Sequence, residues 1–491
     1  MFGRKKRKDY DGAAPSIREN YTYNLLYQIL TLITPFITTP YIARVLGTNG
    51  VGIQSYTSSV VQYFSILAAL GTASYGQREI ARHRDDRRER SRVFWEIELL
   101  CAGTTALCLV VWLGVIAFSK AYAPYYAALT MTLAAVAFDI SWMFGGMEQY
   151  RLIVIRNTAI KLAGIALMFF FVKDSGDLLL YIALLAATGL LGNISMWGYL
   201  GRFVDPVDVR SLKIRRHLKE VIVYFIPTIA TSVYTILDKT MIGWFSGSDK
   251  SENGYYEYAT GFVNMAKIVI ISFNAVMSAR MSYLFGTGRQ EEVRERIGGS
   301  VDFVLLLGLP ITFGLAGIAS CFVPWFLGTE YDPVVRLLWL CSPLVLIVGL
   351  SDCMGSQILT PCGKRAQSAK VIVAGACANG AMNLMLIPRF GAMGAAAASV
   401  LAETMITGLY FRLCREYITP GMVVRCGWKR LPAALIMLAA VLALGRNLGA
   451  GPVTTFLQIG GGAAVYFLAL LAMRDRTVLD QLQGLIRKVL G

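Results

Sequence analysis

The chain has 491 residues, of which 55% are hydrophobic and 16% charged, with a mean hydropathy of +0.54. Soluble domains carry about a quarter charged residues, so this composition excludes a soluble multi-domain enzyme and points to a chain solvated by lipid. The formal charge of +16 would signal nucleic acid on a soluble surface; in a membrane chain it implies no such partner, and what matters is where each Lys and Arg falls along the sequence.

The basic stretch Arg4–Lys8 precedes a polar segment to Asn20 and an apolar run to Leu46. That run is too long for the core of a signal peptide and reads as a retained first span. A window of about 20 residues then places spans at 20–46, 51–76, 93–118, 122–146, 151–172, 177–201, 218–245, 255–284, 296–320, 331–359, 367–388, 391–413, 429–446 and 453–473. The chain is therefore expected to be an all-α polytopic membrane protein with about fourteen transmembrane helices.

The basic residues test this order independently. They crowd the N-terminal tail and the connections at 78–92, 151–156, 202–219, 289–296, 364–370, 412–430 and 474–488. The intervening connections hold only Lys120, Lys173, Lys250, Arg389 and Arg446. Such alternation is the positive-inside pattern and predicts a multi-pass protein of the cytoplasmic membrane with both termini in the cytoplasm.

The expected organisation is a basic cytoplasmic tail (1–19), an N-terminal lobe of six spans (20–201) and a cytoplasmic linker (202–217). A C-terminal lobe of six spans (218–413), an added helix pair (414–473) and an amphipathic tail (474–491) follow. A six-span unit begins and ends on one side of the membrane, so two of them would be related by an axis along its normal. Gly52 and Tyr56 recur as Gly254 and Tyr258 at the start of the second span of the second half. In the tail, Val478, Leu482, Leu485, Ile486 and Val489 share a helical face, which suits a helix lying on the inner membrane surface or a solvated one.

Nine scattered cysteines without a C-x-x-C pair, and two histidines (His83 and His217) set among basic residues, offer no disulfide framework and no metal-ligand spacing. No cofactor is expected.

Four strings carry a family resemblance. ARVLGTNGVGIQSY (Ala43–Tyr56) is similar to the first-loop signature of Wzx-type polysaccharide and lipid-linked oligosaccharide flippases, a branch of the multidrug/oligosaccharidyl-lipid/polysaccharide (MOP) exporter superfamily. DISWMFGGMEQYRLIVIRNTAIKL (Asp139–Leu162), LDKTMIGWFSG followed by NGYYEYATGFVNMAK (Leu237–Lys267), and NLMLIPRFGAMGAAAASVLAE (Asn383–Glu403) follow in the family's order. The resemblance implies two six-helix lobes plus a C-terminal pair, as in MATE exporters and lipid II flippases. It also implies an undecaprenyl-pyrophosphate-linked oligosaccharide moved between leaflets by alternating access. The implied partners are that substrate, membrane lipids and other polysaccharide-assembly proteins.

Ionisable residues within spans are expensive and mark function or pairing. Lys161 and Lys267, near the middle of spans five and eight, are candidates to hold the carrier pyrophosphate; the competing reading pairs each with a carboxylate that locks helices together. Arg44 is a third phosphate candidate, or simply snorkels to the interface. Asp238 and Lys239 are adjacent and point about 100° apart on a helix, so they need separate partners, and a gate is the preferred role. Glu403 and Asp139 are candidates for coupling to a proton or sodium gradient, or for structural hydrogen bonding.

Three functional classes compete. The first is the flippase; the second is a cation or drug antiporter of the MATE type, or a lipid II flippase. The third is a membrane glycan polymerase or ligase, an enzyme for which the short outer connections leave little room. The flippase needs no covalent chemistry.

Overall fold

Apolar runs of this length can satisfy their backbone N–H and C=O groups in lipid only by coiling into helices. In the computed structural model, which describes the backbone of residues 17–490 and the side chains of 27–208, 210–222, 224–225 and 235–483, every regular element among the described residues is helical. The predicted basic tail before Ile17 lies outside the described residues.

The first half contains α1 (Ile17–Ala69), α2 (Thr72–Arg82), α3 (Arg87–Phe118), α4 (Ala123–Ala134), α5 (Ser141–Gly146), α6 (Tyr150–Phe171) and α7 (Leu178–Leu200). The second contains α8 (Arg215–Phe245), α9 (Ser251–Gly286), α10 (Gln290–Phe326), α11 (Pro333–Cys341), α12 (Leu344–Met354) and α13 (Arg365–Leu413). Then come α14 (Pro420–Gly427), α15 (Arg430–Leu448), α16 (Pro452–Ala472) and α17 (Arg476–Leu490), the predicted amphipathic tail.

Eleven helical stretches among the described residues are long and apolar enough to cross a membrane. That is fewer than the sequence reading, for a physical reason. Two of the eleven each contain two predicted spans, because helical hydrogen bonding continues past one non-helical glycine: Gly47 in α1 (φ 66°, ψ 179°) and Gly391 in α13 (φ 53°, ψ −132°). Predicted span seven corresponds to α8, part of which lies outside the residues with described side chains. Of Gly47, Gly50 and Gly52, only Gly47 has a positive φ.

The chain divides into two compact units. The N-terminal unit comprises the residues up to Thr39 with Thr57–Ile236, and the C-terminal unit comprises Pro40–Tyr56 with Leu237 onward. The segment Pro40–Tyr56, drawn in the first lobe from sequence, thus groups with the second unit, as do α15, α16 and α17.

In the N-terminal unit, Phe94, Trp142, Met143, Phe144 and Met196 are buried together. The connection between α7 and α8 is strapped along α3. Arg87 holds Asp205 through a 2.8 Å ion pair, Arg90 donates to the Phe203 carbonyl, and Glu96 accepts from the Lys213 amide at 2.7 Å. His217, fully enclosed, bridges the Tyr75 hydroxyl and the Glu96 carboxylate, each at 2.7 Å. Glu96 also receives Arg216 at 2.6 Å.

In the C-terminal unit, α15 and α16 pack on α10. Small residues permit the approach, which in lipid rests on packing rather than on the hydrophobic effect. A Cβ at Gly317 would lie 2.9 Å from Val441, and one at Gly462 would lie 2.8 Å from it. Arg430, 1% exposed, ties the pair to α10 and the tail through Asp302 (2.8 Å), Asp475 (3.4 Å) and Thr477. All nine cysteines are free.

Candidate transport-site residues

Asp238 is the most enclosed carboxylate among the residues singled out from sequence, 3% exposed on α8. It accepts hydrogen bonds from Tyr256 on α9 and Ser399 on α13, and a 2.6 Å bond from the Asn383 amide. Asn383 also donates to Asn379 at 3.0 Å. Asn379 and Asn383, one turn apart, precede the Gly391 kink in α13 and Ser399 follows it, so the kink is what brings both limbs to one carboxylate. Asn383 Oδ1 is buried without a hydrogen-bond partner. The cluster is built from oxygen acceptors and neutral donors, which suits a proton or a hard monovalent cation.

Lys239, the next residue, faces elsewhere. Its ammonium lies 2.6 Å from Glu257 Oε2, and the Ser55 hydroxyl donates to that same oxygen at 2.5 Å. Around this pair, the start of the second span packs on the α8–α9 turn: Thr48 and Ser251 hydroxyls are 2.9 Å apart, and Asn49 accepts from the Lys250 amide at 2.8 Å. The repeated glycines are the contact surface. A Cβ on Gly52 would sit 1.8 Å from the Lys250 carbonyl oxygen, and one on Gly254 would sit 2.5 Å from the Thr48 carbonyl oxygen. The Lys250 ammonium donates to the Gly243 and Gly247 carbonyls and lies 5.0 Å from the Tyr56 ring centre. Burial pulls its pKa below the ordinary lysine value, against the opposing pull of Asp249.

Arg44 donates to the Trp325 carbonyl, tying the end of the first span to α10. Lys267 is half-buried on α9, and the carboxylate acting on it is the buried Glu403 of α13. In the N-terminal unit, Lys161 is half-buried on α6, with its ammonium 5.8 Å from the Tyr27 ring centre. No carboxylate pairs with Lys161 among the described residues. Asp139 occupies a break between α4 and α5, where it accepts from the Ser141 amide at 3.0 Å. Among the described residues no group of three or more His, Cys, Asp or Glu is placed to hold a metal.

Sequence reasoning missed Tyr256, Asn379, Asn383, Ser399, Glu257 and Ser55. Most are neutral polar residues that hydropathy barely registers. The i, i+4 pair of asparagines in an apolar span was the one available signal.

The fold is that of the multi-span MOP transporters. It is similar to the lipid II flippase MurJ in an inward closed conformation (TM-score 0.71, 13% identity, 93% of this chain and 99% of that one). It is also similar to an inward-facing multidrug resistance MATE family transporter of the MOP superfamily (TM-score 0.59, 12% identity, 78% and 97%). The sequence profile of the polysaccharide biosynthesis protein family matches residues 17–284. The chain belongs to that family, and with it to the Wzx-type branch of the superfamily. Its relatives include a protein of Escherichia coli (strain K12) named as an O-antigen transporter, 22% identical over 82% of this chain and 97% of the relative. The succinoglycan biosynthesis transport protein ExoT of Rhizobium meliloti (strain 1021) is 24% identical over 96% of both chains.

Proposed function

We propose that the protein is a flippase that moves a lipid-linked oligosaccharide across the cell membrane by alternating access, without covalent chemistry, with both termini in the cytoplasm. Family membership across residues 17–284 is the observation that carries this reading, and the flippase-like fold of nearly the whole chain supports it.

The residues take roles consistent with their surroundings. Lys161, with no carboxylate partner among the described residues, binds the carrier pyrophosphate as a mobile point charge. Lys267, in the C-terminal unit, exchanges its electrostatic partner between substrate and Glu403. Arg44 is engaged by the Trp325 carbonyl and steadies the end of the first span. Asp238 is the coupling carboxylate, loaded by a proton or sodium ion within its cluster of Tyr256, Ser399 and Asn383. Lys239, Glu257 and Ser55 form a polar latch that must part for the second span and the α8–α9 turn to separate.

The test is reconstitution in vesicles carrying labelled lipid-linked oligosaccharide in both leaflets. Protein-dependent loss of the label from protection against an impermeant enzyme supports the reading. Export of a cationic dye with the labelled lipid left in place would replace it with the drug antiporter.

A further inference from the structure

Two spans of the N-terminal unit break beside one cavity. Between α1 and α2, Leu70 and Gly71 adopt φ of 47° and 79°. After α4 the chain tightens into a 3-10 turn at Ala135–Phe138, runs extended at Asp139, and restarts as α5. Ala69, Thr72 and Ala73 from the first break and Ala135, Val136 and Asp139 from the second line a cavity of about 370 Å³. Within a bilayer, irregular backbone survives only where protein buries it or where it borders a hydrated space.

The freed carbonyls are provided for: Ala68 accepts from the Thr104 hydroxyl at 2.6 Å, and Ala135 accepts from the Asn193 amide at 2.8 Å. The charges are not balanced in the same way. Glu98 on α3 is 4% exposed and has no hydrogen-bond or ion-pair partner among the described residues. Asp139 acts on its carboxylate, and Cys101, one turn further along α3, lines the cavity with its thiol 3.8 Å from the Val136 carbonyl of the second break. Asp139 in turn acts on Arg156, which also feels Tyr27. Arg156 donates to Asn193 at 2.9 Å, and its Nε is buried without a partner. With both carboxylates ionised and Arg156 protonated, the cluster carries one uncompensated negative charge, which a buried setting disfavours strongly.

We infer that Glu98 and Asp139 form a site in the N-terminal unit that takes up one monovalent positive charge, a proton or a sodium ion, in addition to the Asp238 cluster. As a proton site, Glu98 carboxylate plus one proton gives the neutral acid. As a sodium site, the ion is held by the two carboxylates and balances the same charge. In either case the broken spans keep a path for the charge between the cavity and the water, and loading neutralises the unit before it rearranges.

The experiment uses the full-length protein in nanodiscs without substrate, so its outcome does not depend on the flippase reading. Infrared difference spectra across a pH titration report protonated carboxylic acids, in choline chloride and in sodium chloride at equal ionic strength. The wild type is expected to show a buried-acid band that Glu98→Gln loses, and that Asp139→Asn shifts because the two groups interact. A band insensitive to sodium identifies the proton; one that sodium suppresses identifies the cation. Asp238→Asn should leave that component in place. A Glu98→Gln protein and an Asp139→Asn protein that both fold, and both keep the wild-type band and sodium response, would overturn the inference.

Discussion

Gly52→Ala is the sharpest test of how the second span meets the α8–α9 turn. The added methyl would lie 1.8 Å from the Lys250 carbonyl oxygen, 2.5 Å from its carbon and 2.9 Å from its Cβ. Favourable carbon contacts begin near about 3.5 Å, so one segment must retreat by roughly 1.5 Å. The obstacle is backbone, which no rotamer change relieves. Overpacking of this kind costs about 1–3 kcal/mol, and the upper end applies because the retreat also strains the Thr48–Ser251 and Asn49–Lys250 bonds.

Two neighbours act as internal standards. Gly50→Ala meets only Leu46 Cβ at 3.1 Å and gains helix propensity of about 0.5–1 kcal/mol, so it should be close to neutral. Gly47→Ala encounters no close atom but must hold φ 66° and ψ 179°, a region that costs a residue with a side chain about 1–3 kcal/mol. Thermal unfolding in detergent, followed by tryptophan fluorescence, should rank Gly50→Ala near wild type and the other two several degrees lower. If Gly52→Ala unfolds and transports like Gly50→Ala, the second span does not approach the Lys250 carbonyl closely in the folded protein.

The remaining predictions concern charge. Arg430→Ala leaves Asp302 and Asp475 without their cation and should destabilise the protein by about 3–5 kcal/mol; an unchanged melting profile would show that the carboxylates do not depend on it. Lys161→Ala should lower vesicle translocation roughly tenfold, the equivalent of a single charge-assisted contact, while membrane abundance measured by blotting stays constant; full transport would remove Lys161 from the substrate path. The Lys239–Glu257 pair holds at 2.6 Å, so reversing either charge puts like charges in contact and should slow transport. The double swap Lys239→Glu with Glu257→Lys should restore the rate, and failure to do so would assign the pair no part in gating.

Much of the architecture was readable without coordinates, because lipid imposes a simple rule on backbone groups and Lys and Arg collect in alternate connections. Where reading fell short, the cause was local. Gly47 and Gly391 let helical bonding continue across what hydropathy separates into two spans. The Gly52 and Gly254 repeat looked like a weak echo between halves, whereas in the structure the two positions are close-approach points at a single contact. Lys239 needed a partner by helical geometry, but nothing in the pattern singled out Glu257, 18 residues onward and across a turn. Glu98 escaped notice because α3 begins in a charged segment, and depth cannot be judged there without the α1–α2 break that lies beside it.

The sequence by itself determined that this is a helical membrane protein, the order of its spans, its family and the identities of the charges left within the spans. Those follow from quantities summed along the chain: apolar length, basic-residue position and motif order. Only the tertiary structure decided which charges are compensated. Asp238 is held by two hydroxyls and an amide, Lys267 feels Glu403, Lys239 meets Glu257 and Glu98 feels Asp139. Compensation is a property of distances between helices, set by where glycines let backbones touch and where spans break, and no periodicity along the chain encodes it.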